Sequence, residues 1–223
     1  MTNICVIFRG EHIRQKVNID LNIQNWQRTI FDSLKQNNYT YDLVFITYES
    51  PVLNDLKLKL NPKEILTYTL QNNNIGQVYI FNKVNNYISD NINNYDRFVI
   101  LRFDIVYNIS ICNWYNWDKS GIILPSKDAT WCNTKLYNDI IFIIDSDMYN
   151  IFNNACKYML NINDVPKELR YCHHDAMPHH IGQYLYLNNN NIILIYDEIL
   201  DGLNHPLYKF SRNTNMNDKI YLQ

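Results

Sequence analysis

The chain has 223 residues, 47% hydrophobic and 14% aromatic, with a formal net charge of −2. That is enough apolar material to close one core without disulfide or metal staples, and too little positive charge for a nucleic-acid footprint. No run approaches the ~20 apolar residues of a membrane span, and five scattered glycines (Gly10, Gly76, Gly121, Gly182, Gly202) exclude the clustered-glycine loops that cradle phosphates.

Residues 3–8 form a continuous apolar run that ends at Arg9 without a small-residue cleavage site, which reads as a first strand and not a signal peptide. A helix follows from Asn25, where Trp26, Ile30 and Leu34 recur at four-residue spacing. Residues 41–47 form the next apolar strand, closed by a turn over 48–51 that contains Pro51. The pattern then predicts a short helix over 52–60, strands over 64–70 and 77–81, and a polar helix over 82–94. Residues 97–105 make the central strand, apolar beyond Arg97 except for Arg102 and Asp104 near its carboxyl end, and shorter strands follow over 121–124 and 139–144. Helices are expected over 147–160 and 175–187, with a last strand over 192–196. Alternating strands and helices without a linker imply a single α/β domain with a mostly parallel sheet. Five cysteines, odd in number and without C-x-x-C spacing, point to a reducing, cytoplasmic setting.

In open α/β sheets, ligands lie beyond the carboxyl ends of the strands. Those ends carry Arg9-Gly10 with Arg14 nearby, Thr47-Tyr48, Arg102-Phe103-Asp104, and Asp145-Ser146-Asp147. Arginines, carboxylates and a tyrosine suit a diphosphate, a divalent cation and a ring. Arg102 and Asp104 share a strand face by the two-residue period, so they form either a buried ion pair or part of a site. Asp145 and Asp147 cap the next helix, bind a metal, or resemble the opening motif of haloacid-dehalogenase-like phosphohydrolases. Asp175, among four histidines, either opens a helix or acts as a general base. Trp114, Trp117 and Trp131 either pack inside or form a stacking platform for a sugar acceptor.

Taken in order, four features resemble the WavE-like lipopolysaccharide-synthesis glycosyltransferases and their giant-DNA-virus relatives. They are the strand ending in Arg9-Gly10, the Trp26 helix, the strand beginning Tyr41-Asp42, and Tyr95-Asp96-Arg97 running to Arg102-Phe103-Asp104. The stretch 139–148 and Asp175 extend the likeness to about residues 3–200. The resemblance implies a GT-A-like, Rossmann-like fold, with a nucleotide-sugar half over about 1–110 and an acceptor half over about 111–223. It also implies sugar transfer from a nucleotide-diphosphate donor to a glycan or glycoconjugate hydroxyl, assisted by Mn²⁺ or Mg²⁺. On this reading Arg9, Gly10, Arg14, Thr47, Tyr48, Arg102 and Asp104 line the donor site and Asp175 is the base. Asp104 is the expected metal ligand, with Asp145, Asp147 and His205 as alternatives. Arg102 stands where an acid is usual, so either Asp104 alone among these holds the metal or Arg102 meets the diphosphate directly. A non-catalytic sugar- or nucleotide-binding module of the same fold, or a phosphohydrolase built on Asp145 and Asp147, are the alternative functions.

Overall fold

A computed structural model describes residues 2–10, 19–69, 76–128, 137–161, 179–188, 192–200 and 205–211. The strands, in chain order, are β1 (Asn3–Gly10), β2 (Thr40–Tyr48), β3 (Glu64–Tyr68), β4 (Arg97–Arg102), β5 (Ile105–Tyr107), β6 (Ile122–Leu124), β7 (Lys127–Asp128), β8 (Phe142–Asp145), β9 (Ile192–Leu194), β10 (Ile199–Leu200) and β11 (Tyr208–Phe210). Seven of them form one sheet in the order β3-β2-β1-β4-β8-β6-β9. Its pairings are parallel except for β8, which runs antiparallel to both β4 and β6. The pairs β5–β11 and β7–β10 lie outside this sheet.

Alternation along β1 divides the core into two layers. Ile4, Val6 and Phe8 pack on one face against Trp26, Ile30, Leu34, Leu53 and Leu56. These last come from α1 (Ile19–Trp26), the π-helical turn Gln27–Phe31 that carries Ile30, α2 (Asp32–Gln36) and α3 (Leu53–Leu60). Cys5 and Ile7 point to the other face, against Phe81, Val84, Phe152 and Ile181. That layer comprises α4 (Gly76–Asn91), α5 (Tyr149–Leu160) and α6 (His179–Leu187). A sheet buried on both faces needs apolar residues at both parities, as residues 4–8 and 43–46 supply. Among the described residues no helix is long and apolar enough to cross a membrane.

The structure departs from the sequence expectation at α4 and at the end of the central strand. Residues 77–81 belong to α4 and not to a strand. Val78, Phe81, Val84 and Ile88 recur at three- and four-residue spacing along a 16-residue helix, and a short apolar run by itself is compatible with either state. The central strand stops at Arg102, whose pairing with Arg9 is the last between β4 and β1. The chain turns at Phe103-Asp104 and re-forms as β5 against β11. The expected start of the last helix, Asp175, lies outside the described residues, and α6 is described from His179.

Candidate active site

The carboxyl ends of β1, β2 and β4 meet at one edge of the sheet. Gly10 closes β1 at φ +92°, a conformation that strains residues with a Cβ, although the space beside it is open. Its carbonyl accepts the Thr47 hydroxyl at 2.6 Å, which ties the end of β2 to that of β1. Tyr48 Oη donates to the Gly76 carbonyl at 2.7 Å, at the start of α4. Thr47 and Tyr48 thus sit where the sequence puts them, and both are engaged with backbone.

Arg9 and Arg102 are register partners on adjacent parallel strands, so they emerge on the same face. Arg102 Nε donates to Asp104 Oδ1 at 2.9 Å and Nη2 donates to Oδ2 at 2.8 Å, a two-point fork. Its guanidinium also lies 5.6 Å over the Phe210 ring of β11. Arg9 is only 2% exposed. Its guanidinium lies 4.5 Å over Phe81, and Nη2 donates to the Asp139 carbonyl at 2.6 Å. Arg9 Nε finds no acceptor among the described residues.

Burial lowers Arg9 to about 10, against the opposing pull of Asp139, so it remains charged at neutral pH. Burial acts on Arg102 in the same direction, but the charge and hydrogen bonds of Asp104 outweigh it and raise Arg102 above the ordinary arginine value. Tyr107, buried beside the same groups, is held well above the ordinary phenol value by burial and then by the Asp104 charge. The cluster therefore joins the Arg102–Asp104 ion pair to Arg9, which Asp139 holds through its backbone carbonyl.

The turn bearing Asp104 is pinned from α1. Trp26 Nε1 donates to the Ile105 carbonyl at 2.6 Å, and Asn22 Nδ2 to the Phe103 carbonyl at 3.3 Å. Asn25 brackets Tyr107, giving a hydrogen bond to its carbonyl at 2.9 Å and accepting its N–H at 2.7 Å. On the other side, the Ser211 N–H donates to the Asp104 carbonyl at 2.8 Å. A segment that leaves a sheet must satisfy its backbone elsewhere, and these side chains do so.

Asp145 and Asp147 lie at the opposite edge. Because β8 is antiparallel, its carboxyl end pairs with the beginning of β4, Asp145 against Arg97. Asp145 accepts from Arg97 Nε at 2.6 Å, from Arg97 Nη2 at 3.2 Å and from the Gly121 N–H at 2.9 Å. A nucleophilic carboxylate needs an oxygen aimed at substrate, so this arrangement speaks against a phosphohydrolase built on Asp145. Asp147 is exposed in the 3-10 turn before α5 and lines, with Asp96, Ser120 and Asp145, an open groove of about 420 Å³ on that far edge. Reversal of β8 brings the other end of the segment, with Asp139, to Arg9. Asp139 and Tyr107 are site neighbours that sequence reasoning missed; the first depended on strand direction, which no local pattern encodes.

His205 is also not poised as a ligand. It is 3% exposed and stacks on Tyr208 with ring centroids 4.5 Å apart. Nδ1 accepts the Leu207 N–H at 3.1 Å, and Nε2 lies 3.2 Å from Ser126 Oγ. Trp114 and Trp117 are buried in the core, and Trp114 Nε1 donates to the Ile109 carbonyl at 3.0 Å. A stacking platform needs an open ring face, whereas the exposed aromatic of this loop is Tyr115. Arg14, Trp131 and Asp175 lie outside the described residues.

The donor set does not fit a divalent cation among the described residues. Both Asp104 oxygens accept from Arg102, and a cation there would face the guanidinium charge of Arg102 and, behind it, of Arg9. No group of three or more His, Cys, Asp or Glu side chains converges among the described residues.

No protein-family model and no curated protein sequence matches the chain. Among solved structures, a Drosophila β-1,4-galactosyltransferase 7 mutant, in complex with manganese, UDP-Gal and xylobiose, is similar. The TM-score is 0.53 at 9% sequence identity, over 100% of this chain and 76% of that one. With its mostly parallel seven-stranded sheet, the single antiparallel strand β8 and helices on both faces, the chain has a GT-A-like fold.

Proposed function

We propose that the protein is a nucleotide-sugar-dependent glycosyltransferase that moves a sugar from a nucleoside-diphosphate donor to a glycan or glycoconjugate hydroxyl. The observation that supports it is the convergence of Arg9, Arg102 and Asp104 at the carboxyl edge of β1 and β4 in a GT-A-like sheet. The similar galactosyltransferase, in complex with a nucleotide sugar and a disaccharide, agrees with this reading. So does the resemblance to WavE-like enzymes.

On this reading Gly10, Thr47 and Tyr48 border the donor nucleoside, Arg14 and Arg102 face its diphosphate, and Arg9 supplies a fixed positive charge beneath. In the transfer step the acceptor oxygen bonds to the anomeric carbon as the bond from that carbon to the diphosphate oxygen breaks. Asp175 takes the acceptor proton, and the nucleoside diphosphate leaves with the electron pair. An enzyme carboxylate as base makes inversion at the anomeric carbon the expected outcome.

A thermal-shift screen across UDP-, GDP-, ADP- and CDP-sugars tests the reading. A cognate donor at 100 times its Kd stabilises the fold by about 2.7 kcal/mol, which raises Tm by roughly 5–10 °C for a chain of this size. The reading fails if no nucleotide sugar shifts Tm. Binding without sugar transfer or donor hydrolysis identifies a binding module instead.

A further inference from the structure

Resting on that reading of the site, we infer that Arg102 holds the donor diphosphate in place of a metal ion, with the Asp104 carboxylate occupying its fork until phosphate displaces it. The fork of Arg102 is the planar, two-donor arrangement that also matches two phosphate oxygens. Arg102 and Asp104 each keep 12% of their side-chain surface exposed, whereas Arg9 is 2% exposed, so the pair lies nearer the surface than Arg9. Under it, Arg9 is buried and charged, and register places it on the same face. Its field attracts an anion and repels a cation.

Charge points the same way. Arg102 and Asp104 neutralise each other in the free protein; when Asp104 swings out of the fork, the guanidinium faces the ligand with the charged Arg9 on the same face. The Phe210 ring against the guanidinium holds the fork, while Asn22 and Trp26 pin the backbone on either side of Asp104, so that the exchange involves the Asp104 side chain alone. Asp104 thereby changes role, from the expected metal ligand to an internal substitute for phosphate.

Titration calorimetry of the full chain with UDP, GDP, ADP and CDP, in EDTA and separately in MnCl₂, tests the inference. The expected result is binding of at least one nucleoside diphosphate in EDTA, with affinity unchanged by Mn²⁺. Arg102→Gln and Arg102→Lys weaken that binding at least about tenfold, since lysine keeps the charge and loses the fork. Asp104→Asn strengthens it, by roughly tenfold, because the competing carboxylate charge is gone. Binding that requires Mn²⁺ and disappears in Asp104→Asn overturns the inference and leaves the glycosyltransferase reading standing. Absence of binding to all four diphosphates under both conditions overturns both. Circular dichroism checks each variant; if Asp104→Asn does not fold, the wild-type comparison and Arg102→Lys decide.

Discussion

Two arginine–aspartate pairs terminate β4, one at each end, and their surroundings separate them. Arg97 spends its donors on Asp145 and on the carbonyls of Trp117 at 2.5 Å and Lys119 at 2.8 Å, so the pair welds β4 to β8 and to the loop before β6. Its buried geometry satisfies both ions, and removing one partner strands the other. Arg97→Met is therefore expected to lose about 3–5 kcal/mol of stability, read as a fall in the urea midpoint. A loss below about 1 kcal/mol would show that the pair is not structural. Arg102 and Asp104 are a sequence-local pair, two residues apart across a turn. Both possibilities left open for them in the sequence meet here: they form a buried ion pair and they stand at the strand end where a donor would lie.

At the scale of elements, four-residue recurrence of Trp26, Ile30 and Leu34 correctly marks a helix, but an α-helix drifts about 40° at each such step. The π turn Gln27–Phe31 is wider and offsets that drift, so Trp26 reaches the Ile105 carbonyl while Ile30 and Leu34 stay in the core. Periodicity cannot reveal such a turn, because it is stabilised by what packs against both halves. Close packing decides the fit of α6 as well. A Cβ at Gly182 would lie 2.6 Å from Tyr137 Cβ, an atom close to the backbone that cannot swing away. Gly182→Ala gains up to about 1 kcal/mol of helix propensity but forces apart α6 and the strand-like segment at Tyr137. The expected net effect is a loss of about 1–3 kcal/mol, visible as a lowered Tm. A raised Tm would mean that the helix shifts freely.

For the whole molecule, burial of thiols and phenols in their neutral form contributes to the alkaline pH response. Cys5, Cys156, Tyr87 and Tyr107 are all held above their ordinary values, 9.0 for the thiols and 10.0 for the phenols, chiefly by burial. In the unfolded chain they ionise at those ordinary values, whereas the folded chain keeps their protons. Their contribution is thus fully present below about pH 9 and is lost as pH rises further, because the unfolded state then binds fewer protons. The urea midpoint should hold steady from about pH 7 to 8 on their account and decline from about pH 9 upward. A midpoint that rises over that alkaline range contradicts the assignment. Thiol labelling followed by mass spectrometry adds a check: Cys112, half-buried, reacts before Cys5 and Cys156 do.

The α/β class, most of the strands and helices, and the arginines and carboxylate at the ends of β1 and β4 were legible from residue order, because periodicity and strand parity are local properties. The scattered glycines likewise excluded a backbone cradle for phosphate. Strand direction is not local. The antiparallel course of β8 carries Asp145 to the far edge, into the grip of Arg97, and brings Asp139 to Arg9. Burial of Trp114, Trp117 and His205 is equally a product of packing, since an aromatic or imidazole ring reads the same in sequence whether its face is covered or open. Only the tertiary structure showed that Arg9 lies buried on the same face as the Arg102–Asp104 pair and that Phe210 stacks on the Arg102 guanidinium, because those surroundings are set by segments far apart in sequence.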